Sequence, residues 1–171
     1  TTITGTAAAI NTLIGNEGDS GDKVNLDADY DITVNSGTAS VSLANTFAAA
    51  TDGTVTAEIT ETDAATLATL NETTNAYTIT VGDTSVTAAR LISIDGATTV
   101  QVTATAVTTI SGAAADLNTV LTASGIAGLG AEAVTVTDSA VTAAVLNTLN
   151  GNTTGLVTAT GVTAITGTIA Q

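Results

Sequence analysis

The sequence predicts a repeat solenoid, mainly β, in which a right-handed parallel β-solenoid carries a short helical segment in each coil of about 23–34 residues. Three observations predict it. A four-residue signature recurs six times along the chain. The segments that follow it are rich in β-branched residues and glycine turns. Large side chains of the kind that fill a thick core are almost missing.

The signature reads "INTL" at 10–13, "ANTF" at 44–47, "LATL" at 67–70, "LISI" at 91–94, "LNTV" at 117–120 and "LNTL" at 146–149. Its last residue is always apolar and its third is always Thr or Ser. Asn11, Asn45, Asn118 and Asn147 fill the second place in four copies, which predicts a ladder of stacked asparagines along the array. A longer beat lies on top, because "DTSVTAARL" at 83–91 returns as "DSAVTAAVL" at 138–146.

Each unit then divides in order. "SAVTAAVLNTLNG" has a capping Ser and Asp before it, Ala and Leu inside it and Asn-Gly to end it. Val141, Val145 and Leu149 fall at helical spacing and form one apolar stripe. "TTGLVTATGVTAI" follows, alternating and β-branched, and reads as one or two short strands. Helices this short are marginal alone. Stacking unit on unit pairs the strands and gives each helix a neighbour.

The expected organisation is one array over residues 1–171, with coils at 4–35, 36–59, 60–83, 84–110, 111–138 and 139–165 and a truncated coil at 166–171. "TTITGTAAAINTL" at the start, "TTISGAAADLNTV" at 108–120 and "TAITGTIAQ" from 163 are versions of one phrase. The sequence therefore opens and closes inside a coil with no polar cap. That predicts a stretch of a longer array or subunits that stack end to end.

Composition narrows the function. Of 171 residues, 40 are Thr and 32 are Ala, while Pro, Cys, Met, Trp and His are absent. The hydrophobic fraction of 44% and mean hydropathy of +0.43 argue for a folded chain rather than a disordered one. With Lys23 and Arg90 as its only cations, the chain carries a net charge of −14. Such a surface repels nucleic acid phosphates and anionic lipid, and it attracts divalent cations. No apolar run reaches the length of a membrane span. Without His or Cys the common general bases and thiol nucleophiles are missing, so no catalytic role is expected.

The first unit carries an extra stretch, "GNEGDSGDKVNLDADYD" at 15–31. It holds Glu17, Asp19, Asp22, Asp27, Asp29 and Asp31, six of the sixteen acids. Calcium takes oxygen ligands from flexible, glycine-bearing loops, so these six are the candidate calcium ligands. If "DADYD" is strand, Asp27, Asp29 and Asp31 share a face and repel one another without a cation. The alternative is a solvated acidic loop. Recurrent Thr-x-Thr pairs at 54–56, 78–80, 103–105, 135–137 and 158–160 suggest a rank of hydroxyls such as an ice-binding face would present, against the simpler fact that Thr is a good strand residue.

Residues 110–168 resemble repeat arrays of giant extracellular proteins of marine cyanobacteria, among them a swimming-associated cell-surface protein and RTX-like adhesins. The resemblance is carried by "AADLNTV", "GIAGLGAEAVTVTD" and "LNTLNGNTTGLV". It implies an extracellular or cell-surface location, tolerance of calcium and a structural or adhesive role. The expectation is a structural rod, spacer or filament subunit. Its partners would be copies of itself or adjoining repeats stacked end to end, and surface polysaccharide. A calcium-dependent adhesin or other binding module stands second, and an ice-binding face third.

Overall fold

A computed structural model describes residues 1–18 and 24–167. Its elements run β1 (Thr2–Thr6), α1 (Ala7–Gly15), β2 (Asp31–Ser36), α2 (Val41–Ala50), β3 (Val55–Glu58), α3 (Ala64–Leu67), β4 (Ala76–Thr78), β5 (Ser85–Thr87) and α4 (Ala88–Gly96). They continue with β6 (Val102–Thr103), β7 (Thr109–Gly112), α5 (Ala114–Leu121), β8 (Ile126–Ala127), β9 (Ala133–Val136), β10 (Ala140–Thr142), α6 (Ala143–Asn152), β11 (Val157–Thr158) and β12 (Ala164–Thr166).

This is an α/β fold, and it corrects the expected β-solenoid. The parallel strands do not form continuous sheets through the molecule. They fall into separate sheets ordered β1-β2-β3-β4, β11-β9-β7-β5, β6-β8 and β10-β12. The reason is the share of the chain spent on helix. α1, α2, α4, α5 and α6 take eight to ten residues each, which leaves strands of two to six residues. The units are also unequal, because α3 has only four residues and pairing changes sheet between β4 and β5. A solenoid repeat is therefore not the description of this protein.

The signature marks helix. All six copies fall in or at the end of a helix, and their apolar first and last residues are buried except Leu13 and Leu146, which are partly exposed. Leu67, Leu91 and Leu117 are fully buried in first place, as are Phe47, Ile94 and Leu149 in last place. The third residue has a role that its invariance foreshadowed. Thr12, Thr46, Ser93, Thr119 and Thr148 each donate a hydroxyl to the carbonyl four residues back, at 2.9–3.0 Å. A polar residue on the outer helix face thus satisfies its own hydrogen bond locally.

Strand register supplies the other side of the core. Val86, Ile110 and Val134 lie opposite one another in consecutive parallel strands, and all three are buried. The stripe expected over residues 141–149 is split, since Val141 belongs to β10 and only Val145 and Leu149 lie on α6. Of the three aromatics Phe47 is fully buried on α2, and the two tyrosines each tie separate elements together. Tyr30 Oη donates to the Ala50 carbonyl at 3.0 Å, and Tyr77 Oη donates to the Ala44 carbonyl at 3.3 Å.

Candidate functional site

Two surfaces stand out, the ends of the sheets and a cleft near the middle of the chain. At one end β1 pairs, among the described residues, only with β2, which leaves its other edge open there. At the other end β11 and β12 are the edge strands of their sheets. None of these three strands contains a charged residue or proline, the devices that usually blunt an edge. Large apolar side chains are exposed beside the second end, with Leu156 at 72% and Ile165 at 61% of full accessibility. β1 and β12 also share sequence, since "TTITG" at 1–5 matches "TAITG" at 163–167 in four of five places.

The acids mostly serve the fold. The backbone N–H of Val41, at the start of α2, donates to Glu61 Oε2 at 2.9 Å. Ala64 N–H donates to Asp83 Oδ2 at 2.6 Å, and Ala114 N–H donates to Asp138 Oδ2 at 2.6 Å. In each case a carboxylate from the following layer sits on the N-terminus of the preceding helix, where free N–H groups and the helix dipole favour negative charge. Asp138 matters most, because the N-cap residue of α5 is Ala113 and makes no side-chain bond. Asp83 and Asp138 open the two copies of the longer motif, so the signal was in the sequence. Their target was not, because register chooses it.

Asp63 caps its own helix, accepting from Thr66 N–H at 2.9 Å. That bond from Thr66 holds its carboxyl below the usual value, with Arg90 adding a smaller effect in the same direction.

The candidate calcium ligands are spread over different jobs. Glu17 is half-buried and lies 3.5 Å from Tyr30 Oη. Burial, and then the charge and hydrogen bond of Glu17, raise the Tyr30 phenol above its ordinary value. Asp31 accepts from Thr54 N–H at 2.9 Å and begins β2. Asp27 and Asp29 are exposed and precede that strand, so the three do not share a strand face. Asp19 and Asp22 lie outside the described residues. Among the described residues, no three His, Cys, Asp or Glu side chains come together as a metal-ligand group.

The asparagines divide in two. Asn45 bridges layers, donating from Nδ2 to the Thr69 carbonyl at 2.9 Å and accepting from Asn71 N–H at 3.2 Å. Asn118 Oδ1 accepts from Asn152 Nδ2 at 3.0 Å. Asn11 and Asn147 are exposed. Register sets Thr135 opposite Thr158 and Thr80 opposite Thr103, but Thr56 lies against Ala76 and Thr78 against Glu58, so no single rank of hydroxyls runs through all five Thr-x-Thr pairs.

The cleft encloses about 290 Å³ and lies against the C-terminal end of α2. Its wall is mostly polar, with Asp52, Glu72, Thr74 and Asn75 among the lining residues. Gly53 closes one side. A side chain there would collide with the Tyr30 carbonyl, so the wall has to be glycine. The single hydroxyl proton of Thr51 lies between the carbonyls of Ala28 and Tyr30, and its oxygen accepts from Gly53 N–H.

Comparison of the chain with protein-family models, with curated proteins and with solved structures finds no match to any of them. The described residues contain no helix long and apolar enough to cross a membrane.

Proposed function

We propose that this chain is a non-catalytic structural segment, a rod, spacer or filament unit that associates end to end with further segments of its own kind. One observation carries the proposal. The sheets end on open, uncharged strands, and Leu156 and Ile165 lie exposed beside one of those ends. Open edges of this type pair with another strand. A contact that joins one end to the opposite end is heterologous, and it propagates as a filament when the rotation between units does not close a ring. The net charge of −14 keeps the sides of separate rods apart while the uncharged ends remain free to meet. Placement at a cell surface is proposed on the sequence resemblance alone.

Sedimentation velocity over a range of concentrations tests this. The wild-type chain is expected to sediment as species larger than its 16.5 kDa mass, and Thr4→Lys together with Ile165→Lys is expected to restore the monomer. A wild-type chain that stays monomeric at the highest soluble concentration would sink the proposal.

A further inference from the structure

We infer that the cleft between the end of α2 and the turns before β3 and β4 is a binding site for the vicinal hydroxyl groups of a single sugar residue. The key group is Asn75. It is 2% exposed, and its Oδ1 is committed to the backbone N–H of Val55 at 2.8 Å. That bond fixes the orientation of the amide. Among the described residues no buried side-chain polar atom lacks a partner, and no hydrogen bond engages Nδ2. The NH₂ group is therefore the part of Asn75 that the cleft can reach.

The remaining lining groups supply the complement. Asp52 and Glu72 carry exposed carboxylates, which only accept, and Thr74 carries an exposed hydroxyl. A ligand must then donate to two carboxylates and also accept from an amide within one small space. Adjacent hydroxyls do both, because each O–H donates and its oxygen accepts. A metal cation meets only half of that requirement, since the Asn75 NH₂ turns positive hydrogens toward it and its carbonyl faces away. Two carboxylates without a third ligating side chain also fall short of a calcium shell. The volume of about 290 Å³ lies at the small end of ligand sites, which suits one sugar ring rather than an extended chain.

The site is tested by recording amide correlation spectra of the chain while titrating methyl α-mannoside, methyl α-glucoside and methyl β-galactoside. Calcium chloride and 1,4-diaminobutane are titrated separately. At least one glycoside is expected to shift the Asn75 side-chain amide and the backbone signals of residues 51–53 and 72–75. Glu72→Gln and Thr74→Ala alter exposed positions and leave the core untouched. Glu72→Gln removes a charge-assisted bond and is expected to weaken binding roughly tenfold. Spectra unchanged by all three glycosides would overturn the inference. Shifts caused by calcium or the diamine but by no glycoside would overturn it too, and would mark a cation site.

Discussion

The same three residues, Leu-Asn-Thr, occur at 117–119 and at 146–148, and the two copies live in different surroundings. Leu117 on α5 is fully buried, with α4 against one side of its helix and α6 against the other. Leu146 on α6 is only partly buried, and among the described residues no further helix covers α6. The shared residues sit at the same place in each helix, the fourth to sixth of α5 and of α6, so the difference in burial at this leucine follows the presence of a following layer. The strands repeat the contrast. Val134 is flanked by Ile110 and Val157 and is buried, whereas Ile165 pairs on one side only and is exposed. The middle of the molecule is covered on both sides, whereas among the described residues no further helix packs on α6 and no further strand pairs with β12.

The most direct way to break this comparison is one substitution at both places. Leu117→Ala leaves a cavity in a packed interior and is expected to cost about 2–5 kcal/mol in urea unfolding. Leu146→Ala removes a side chain that water already reaches, and less than about 1.5 kcal/mol is expected. Equal losses would mean that α6 is as well covered as α5, and the open-ended description would fail. In a sample that has associated end to end, the cost at Leu146 is expected to rise towards that at Leu117.

How much of this was legible in the sequence follows the same division. The signature located all six helices, because its apolar first and last residues are three apart on one helical face. What it could not give was the balance between helix and strand. Thr and Val suggest strand wherever they cluster, yet Thr142 is the N-cap of α6 and Thr148 lies inside it, with hydroxyls satisfied by the helix backbone. The β-branched segments after each helix carried the expectation of a β-solenoid, but five helices of eight to ten residues leave strands of only two to six, and the chain builds an α/β fold. The acidic stretch shows the same limit. Asp31 looked like one of three alternating ligands, but it caps the next strand through Thr54. The cleft was hidden altogether, since nothing in "NETTNAY" says that Asn75 turns its carbonyl inward to Val55.

An alkaline titration sharpens the contrast through Tyr77, whose ring ties β4 to α2 inside the finished part of the core. Burial first, and the charge of Glu72 second, push its phenol from 10.0 up to about 12. Between those values the folded state keeps a proton that the unfolded state releases. The stabilising effect is therefore complete below pH 10 and is lost as the pH rises towards about 12. Because Glu72 is exposed and screened by solvent, about 1–2 kcal/mol is expected rather than the full value of the shift. Thermal melts from pH 9 to 12 should show a declining Tm in the wild type and a shallower decline in Tyr77→Phe. Parallel curves for the two proteins would remove Tyr77 from the account.

The smallest effect separates a cap made within one layer from a cap lent by the next. α6 is capped by its own Thr142, which accepts from Val145 N–H at 3.2 Å, while α5 depends on Asp138 from the layer that follows. Asp138→Ala takes away both the acceptor for Ala114 N–H and a negative charge at the helix N-terminus. A loss of about 1 kcal/mol is expected, with hydrogen exchange accelerating first in Ala114–Leu117. Asp138→Asn keeps an acceptor and should recover part of the loss. Thr142→Ala should cost a similar amount but act on α6 alone, because its cap crosses no layer boundary. If Asp138→Ala left exchange in α5 unchanged, the bond between layers would be a consequence of the packing and not one of its supports. The carboxylates would then be left with solubility as their role, and layer-to-layer cohesion would rest on the strand pairs and the buried leucines.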